Sequence, residues 1–148
     1  MKEENLKQIH NGLLEFSDLF HQKISSILNS NISIDYCCNK NQNKALMILG
    51  RKGKITPTML GKSLDMKKGS LTTLLDSLEN MNLVFREADG KDRRKTWIYL
   101  TEEGKGYVDS QMLQYEKIIT QAFDSLGDKD VDNFSKSIKT VINIMKKL

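Results

Sequence analysis

Four cations, Lys91, Arg93, Arg94 and Lys95, crowd the seven residues from Asp89 to Lys95, between two apolar segments. Guanidinium and ammonium groups bunched on a short loop are suited to holding anionic oxygens, phosphate above all. Just upstream, Lys67 and Lys68 open a stretch in which Leu71, Leu74, Leu75, Leu78 and Met81 recur at the spacing of one helix face. The opposite face carries Gly69, Thr72, Thr73, Asp76 and Asn80, with Ser70 in the first turn. So small a polar face lets a helix backbone approach another surface closely, and a DNA major groove is such a surface. The solvated reading, in which these residues only keep a helix and a hairpin tip soluble, has to be weighed against it.

Other reactive groups are sparse. The adjacent pair Cys37 and Cys38 cannot form an ordinary unstrained disulfide with each other, so a thiol switch would need a second copy of the chain or a small thiol, and inert burial is the commoner use of such residues. His10 and His21 lie eleven residues apart on one helical pattern, roughly 16 Å along its axis, too far to share a metal. No nucleophile paired with a base, phosphate-cradling glycine loop or His-carboxylate metal set is present, so the expectation is a non-enzyme without metal or cofactor.

Charge is unevenly distributed over the 148 residues. Lys40 to Lys95 holds 13 Lys or Arg against six Asp or Glu, while the remainder is net acidic, although the whole chain is only +4. A basic middle between acidic ends is the footprint of a polyanion binder whose termini do something else. The length is that of one domain. With an interrupted first apolar run and no stretch as long as a membrane span, a cytoplasmic chain without membrane contact is expected.

These residues need a frame, and the chain supplies one in order. Leu6 to Leu28 reads as an amphipathic helix with a stripe through Leu6, Ile9, Leu13, Phe16, Phe20, Ile24 and Ile27. Asn29 to Asn41 reads as a break. A second helix is expected over about Gln42 to Leu49, stopped by Gly50 and Gly53, after which Ile55 could pair with a later hairpin. Thr56 and Pro57 mark a short third helix to about Leu64, and Asp65 and Met66 turn into the Lys67 helix, which Asn82 ends. Leu83 to Ala88 and Thr96 to Leu100 read as strands. Thr101 caps a helix to about Leu126, and Gly127 and Asp128 lead into a last one with Val131, Phe134, Ile138, Val141, Ile142, Met145 and Leu148 in register. The expected fold class is mainly α with a small β-hairpin.

The order of elements, with Lys68, Gly69, Ser70, Leu71 and Thr72, then Leu83, Val84 and Arg86, then Asp89, Asp92, Arg93 and Arg94, and finally Leu100, Thr101 and Gly104, resembles the MarR family of winged helix-turn-helix regulators over essentially the whole chain. The resemblance implies a single domain over 1–148, with a DNA-binding lobe over about 42–101 and dimerisation helices over about 1–30 and 102–148. It further implies a homodimer on a pseudo-palindromic operator in double-stranded DNA, with Lys67, Lys68, Gly69, Ser70, Thr72, Thr73 and Lys95 at the duplex. Arg93 and Arg94 then belong to the wing, Arg94 in the minor groove with Asp92 orienting it, and Arg86 braces the wing or meets phosphate. Family members often carry arginines where Thr73 and Ser77 stand here, and proline where Gly90 stands.

The same resemblance places small aromatic effectors between the lobes, where Trp97, Tyr107 and Tyr115 could line a cavity, although such aromatics more often serve as core or hairpin surface. Cys37 and Cys38 would sense oxidants if exposed and ionisable. The expected function is a transcriptional repressor modulated by a small ligand or oxidant. The rival is a winged-helix protein-interaction module, antirepressor-like, with little reading of DNA.

Overall fold

The computed structural model describes residues 2–27 and 38–148. Its contacts divide it into two units, one formed by the chain's two ends and one by residues 38–113. Mostly helical, with one three-stranded antiparallel sheet, it has the architecture expected from the pattern.

The chain opens, in the end unit, with α1, Glu3–Phe20, which continues through a π-helical turn, His21–Ser25. The middle unit begins with α2, Lys40–Lys52. This helix is longer than the apolar pattern suggested, because Asn39 caps it. Asn39 Oδ1 accepts from the Asn41 and Gln42 amides at 3.0 Å, while the Asn39 amide donates to Gln42 Oε1 at 2.7 Å. Gly50, expected to stop the helix, lies inside it, where a Cβ would come within 2.7 Å of Val108. Gly53, at φ 76°, ends it. Strand β1, Lys54–Ile55, is followed by α3, Pro57–Leu64, which starts as expected, the Met59 amide donating to Thr56 Oγ1 at 3.3 Å.

Helix α4, Lys68–Asn80, follows through Asp65 in the left-handed conformation, and Asn82 leaves it at φ 57°. Its stripe of Leu71, Leu74, Leu75 and Leu78 is buried in a core shared with Leu46, Leu49, Leu60, Leu83 and Ile98. Strands β2, Val84–Ala88, and β3, Thr96–Leu100, form the hairpin. Strand β1 pairs with β3 as Ile55 suggested, so the sheet order is β1-β3-β2.

The hairpin is tied to α5, Glu102–Phe123, at one crowded joint. Thr101 Oγ1 donates to the Asn82 carbonyl at 2.6 Å and accepts from the Gly104 amide at 2.9 Å, while the Thr101 amide donates to the Leu83 carbonyl at 3.1 Å. A Cβ on Gly104 would lie 2.0 Å from the Leu83 carbonyl oxygen, so only glycine lets the helix come this close.

Back in the end unit, helix α6, Asp128–Met145, has an amphipathic pattern as strong as the sequence suggested, yet neither α1 nor α6 contains a buried residue. Phe16, Phe20 and Ile24 line one groove of about 730 Å³ together with Phe123, Phe134 and Ile138. Among the described residues, no helix is long and apolar enough to cross a membrane.

Candidate nucleic-acid interface

Helix α4 presents its small residues as the helical period required. Lys67, Lys68, Gly69, Ser70, Thr72 and Thr73 are all exposed. The two threonine hydroxyls are turned back onto the helix, Thr72 Oγ1 donating to the Lys68 carbonyl at 3.0 Å and Thr73 Oγ1 to that of Gly69 at 3.2 Å. Lys67 stands at the helix start with no side-chain cap, so the first amides of α4 are left for other acceptors. A groove of about 890 Å³ runs beside this face, lined by Pro57, Thr58 and Lys62 of α3, Lys68, Thr72 and Asp76 of α4, and Arg86 and Thr96 of the hairpin. Lys62 and Thr58 were not singled out from the sequence, because their place beside this face depends on how α3 crosses α4.

Arg86 is held by two carboxylates. Its guanidinium reaches from β2 to Asp76, at 2.7 Å, and to Glu79, both on α4. It therefore braces that helix against the hairpin. Ser77, at a position where arginine was noted as common, accepts from Gln42 Nε2 at 2.9 Å and locks α4 to α2.

The wing, residues 89–95, is a built loop. Its neck is closed by the Asp89 amide donating to the Lys95 carbonyl at 2.8 Å, and the Lys95 amide donates to the Asp92 carbonyl at 3.0 Å. Asp89 organises the turn: Oδ1 accepts from the Lys91 and Asp92 amides at 2.9 and 3.1 Å, and Oδ2 accepts from the Trp97 indole at 2.6 Å. These donors, the indole first, lower its carboxyl pKa to about 2. Because the folded value lies below the ordinary 3.8, the contribution is present above that pH and is lost as pH falls towards 2. Asp92 Oδ1 accepts from the backbone amide of Arg94 at 3.0 Å, so it orients the loop at Arg94 through the main chain. Arg93, Arg94 and Lys95 are exposed.

Sequence reasoning passed over Asp89 as a site residue, although Asp at the start of an Asp-Gly turn signals this kind of loop. Trp97 is part of the wing: besides the bond to Asp89, its ring centroid has Lys54 Nζ at 4.4 Å and Lys95 Nζ at 4.5 Å. Tyr107 is buried, its hydroxyl donating to Asn43 Oδ1 at 3.1 Å. Trp97 and Tyr107 therefore have separate surroundings within the middle unit, and Tyr115, half-buried further along α5, belongs to the end unit. Cys38 is packed in the core at 4% exposure, and Cys37 lies outside the described residues.

A helix-turn-helix joined to a wing of this construction is matched by the MarR family model over residues 38–96. Residues 38–96 are a MarR-family winged helix. Two Bacillus subtilis (strain 168) relatives accord with this. The HTH-type transcriptional regulator YsmB is 26% identical over 97% of this chain and 95% of its own. The HTH-type transcriptional repressor YetL is 31% identical over 64% and 58% respectively. A mutant MarR from E. coli, solved in complex with operator DNA, shares the fold, with a TM-score of 0.63 and 24% identity over 88% of this chain and 96% of that one. As a MarR-family winged helix, the protein is a transcriptional regulator, the class to which these relatives belong, and not an enzyme.

Proposed function

We propose that this MarR-family regulator acts as a homodimer on a pseudo-palindromic operator in double-stranded DNA, inserting α4 into a major groove and the wing into the adjoining minor groove. The observation that carries this reading is the cationic display on the middle unit. Lys67, Lys68, Arg93 and Arg94 are exposed, and among the described residues none of them forms an ion pair. Cations held ready in this way gain most when they replace condensed counterions on a phosphate backbone. The similar E. coli chain was solved on operator DNA, which supports the same mode of binding here.

The end unit supports the dimer. Leu6, Ile9, Leu13, Phe16 and Phe20 of α1 and Phe134, Val141, Ile142 and Met145 of α6 are each at least 40% exposed, far more apolar surface than an isolated chain leaves in water. Two-fold pairing would set the separation of two recognition helices, and with it the spacing of half-sites. In this reading 1–148 works as one domain, and a small aromatic molecule or an oxidant changes that separation. Repression is the regulatory sense adopted, in line with the name of the YetL relative.

The test is a gel shift on the chain's own upstream duplex across a salt series. Log affinity should fall linearly with log salt, and Arg94→Ala should weaken binding by about tenfold or more. Affinity indifferent to salt would remove the phosphate contacts from the mechanism. Retention by protein partners without duplex binding would favour the interaction module instead.

A further inference from the structure

The wing's four cations sit on a loop whose Gly90 has no heavy atom within 4 Å of where a Cβ would stand. No other part of the protein packs against the loop at that glycine, so its orientation has to be set by other contacts. The hydrogen bonds trace where. Trp97 is on β3, directly opposite Glu87 of β2, and is fixed in the ladder. Its indole donates out of the sheet to Asp89, Asp89 gathers the amides of Lys91 and Asp92, and Asp92 gathers the amide of Arg94. Each bond in this relay ends on an ionised carboxylate, the stronger class of hydrogen bond. The same ring also carries the ammonium groups of Lys54 of β1 and Lys95 of the wing, so a swing of the donor edge disturbs both cation contacts.

We infer that Trp97 is a positioning residue for duplex recognition: its indole N–H, acting through Asp89, sets the direction in which the wing presents Arg93 and Arg94. This rests on the proposed reading of the wing as a DNA element. It assigns the chain's single tryptophan a role distinct from effector binding.

Trp97→Phe keeps a smaller aromatic ring for the two lysines and removes the donor. Its affinity for a duplex selected by the wild-type chain from a random pool should fall about tenfold, the size of one lost hydrogen bond to a charged acceptor. The dependence on salt should become shallower, because a wandering wing neutralises fewer phosphates. Arg94→Ala should then cost much less in the Trp97→Phe background than in the wild type, since both substitutions disable the same contact. A merely structural role would leave the salt slope unchanged and the two effects additive.

Asp89→Ala, a substitution in the hairpin loop that leaves the core intact, should reproduce the loss of affinity and shift the Trp97 emission, with the far-ultraviolet dichroism unaltered. Equal binding and equal salt slope in Trp97→Phe and the wild type would overturn this inference alone. A wild-type chain that holds no duplex at any salt concentration would overturn the DNA reading, and the inference with it.

Discussion

The two units treat their leucines in opposite ways. In the middle unit the leucines of α4 disappear into a core that also takes in α2, α3 and the sheet, and Leu46, Leu49, Leu60, Leu78 and Leu83 have no measurable exposure. In the end unit, Ile118 is the one buried apolar side chain among the described residues, while Leu13, Leu14 and Leu19 of α1 face outward with about half their surface exposed. Both sequences are amphipathic at helical period. Amphipathicity therefore says that a face will be covered, and the company a helix keeps within its own chain decides whether the cover comes from inside. A unit that closes its own core should respond to mutation as a monomer does; one that does not should respond through association.

Substitutions can break or sharpen that contrast. The largest effect is expected at the joint of the middle unit, where Gly104→Val drives a side chain into the Leu83 carbonyl. Loss of cooperative unfolding in urea is the expected outcome, and a normal transition would show that the joint can yield. Next, Leu78→Ala should remove about 2–5 kcal/mol in the same assay at every protein concentration. A cost that varied with concentration would mean that the middle unit also depends on a partner.

Leu13→Lys together with Ile142→Lys tests the other side. Sedimentation should show the assembly falling to single chains, while the unfolding of the middle unit changes by no more than about 0.5 kcal/mol. Persistence of a dimer would place the interface on other residues. The smallest effect belongs to a single cap: Thr56→Ala should cost about 1 kcal/mol, read as a small shift of the thermal midpoint. A null result there would assign the start of α3 to Pro57 alone.

How far these features could be read from residues alone follows from the range of the interactions involved. The leucine stripe of α4, the Thr56-Pro57 start, the left-handed exit at Asn82 and both long strands of the hairpin are set within a few residues, and periodicity exposes them. The capping box of α2 was local too, yet Asn39 stood inside an Asn-rich stretch that reads as loop, so the helix came out short at that end. It came out short at the other because Gly50 looks like a stop until Val108 is seen against it.

The site followed the same rule. Exposure of Lys67, Lys68, Gly69, Ser70, Thr72 and Thr73 and of the wing cations came from local pattern. Arg86 could be placed near the wing, but its choice of Asp76 and Glu79 depends on how β2 passes α4. Trp97 stood between hairpin surface and effector contact because an aromatic on a strand has no address until its neighbours are known; Asp89, eight residues earlier, supplies one only when the hairpin closes. The π-helical turn at His21–Ser25 left no sign in the stripe at all.

The Arg86 brace has an electrostatic consequence as well. Asp76 and Glu79 belong to the helix that would lie nearest the phosphates, where two bare carboxylates would repel the duplex. With one guanidinium drawn against both, half of their charge is offset within the protein, and the lysines at the start of α4 are opposed less at long range. An arginine held in the protein's own ion pairs can in this way ease the approach of a polyanion.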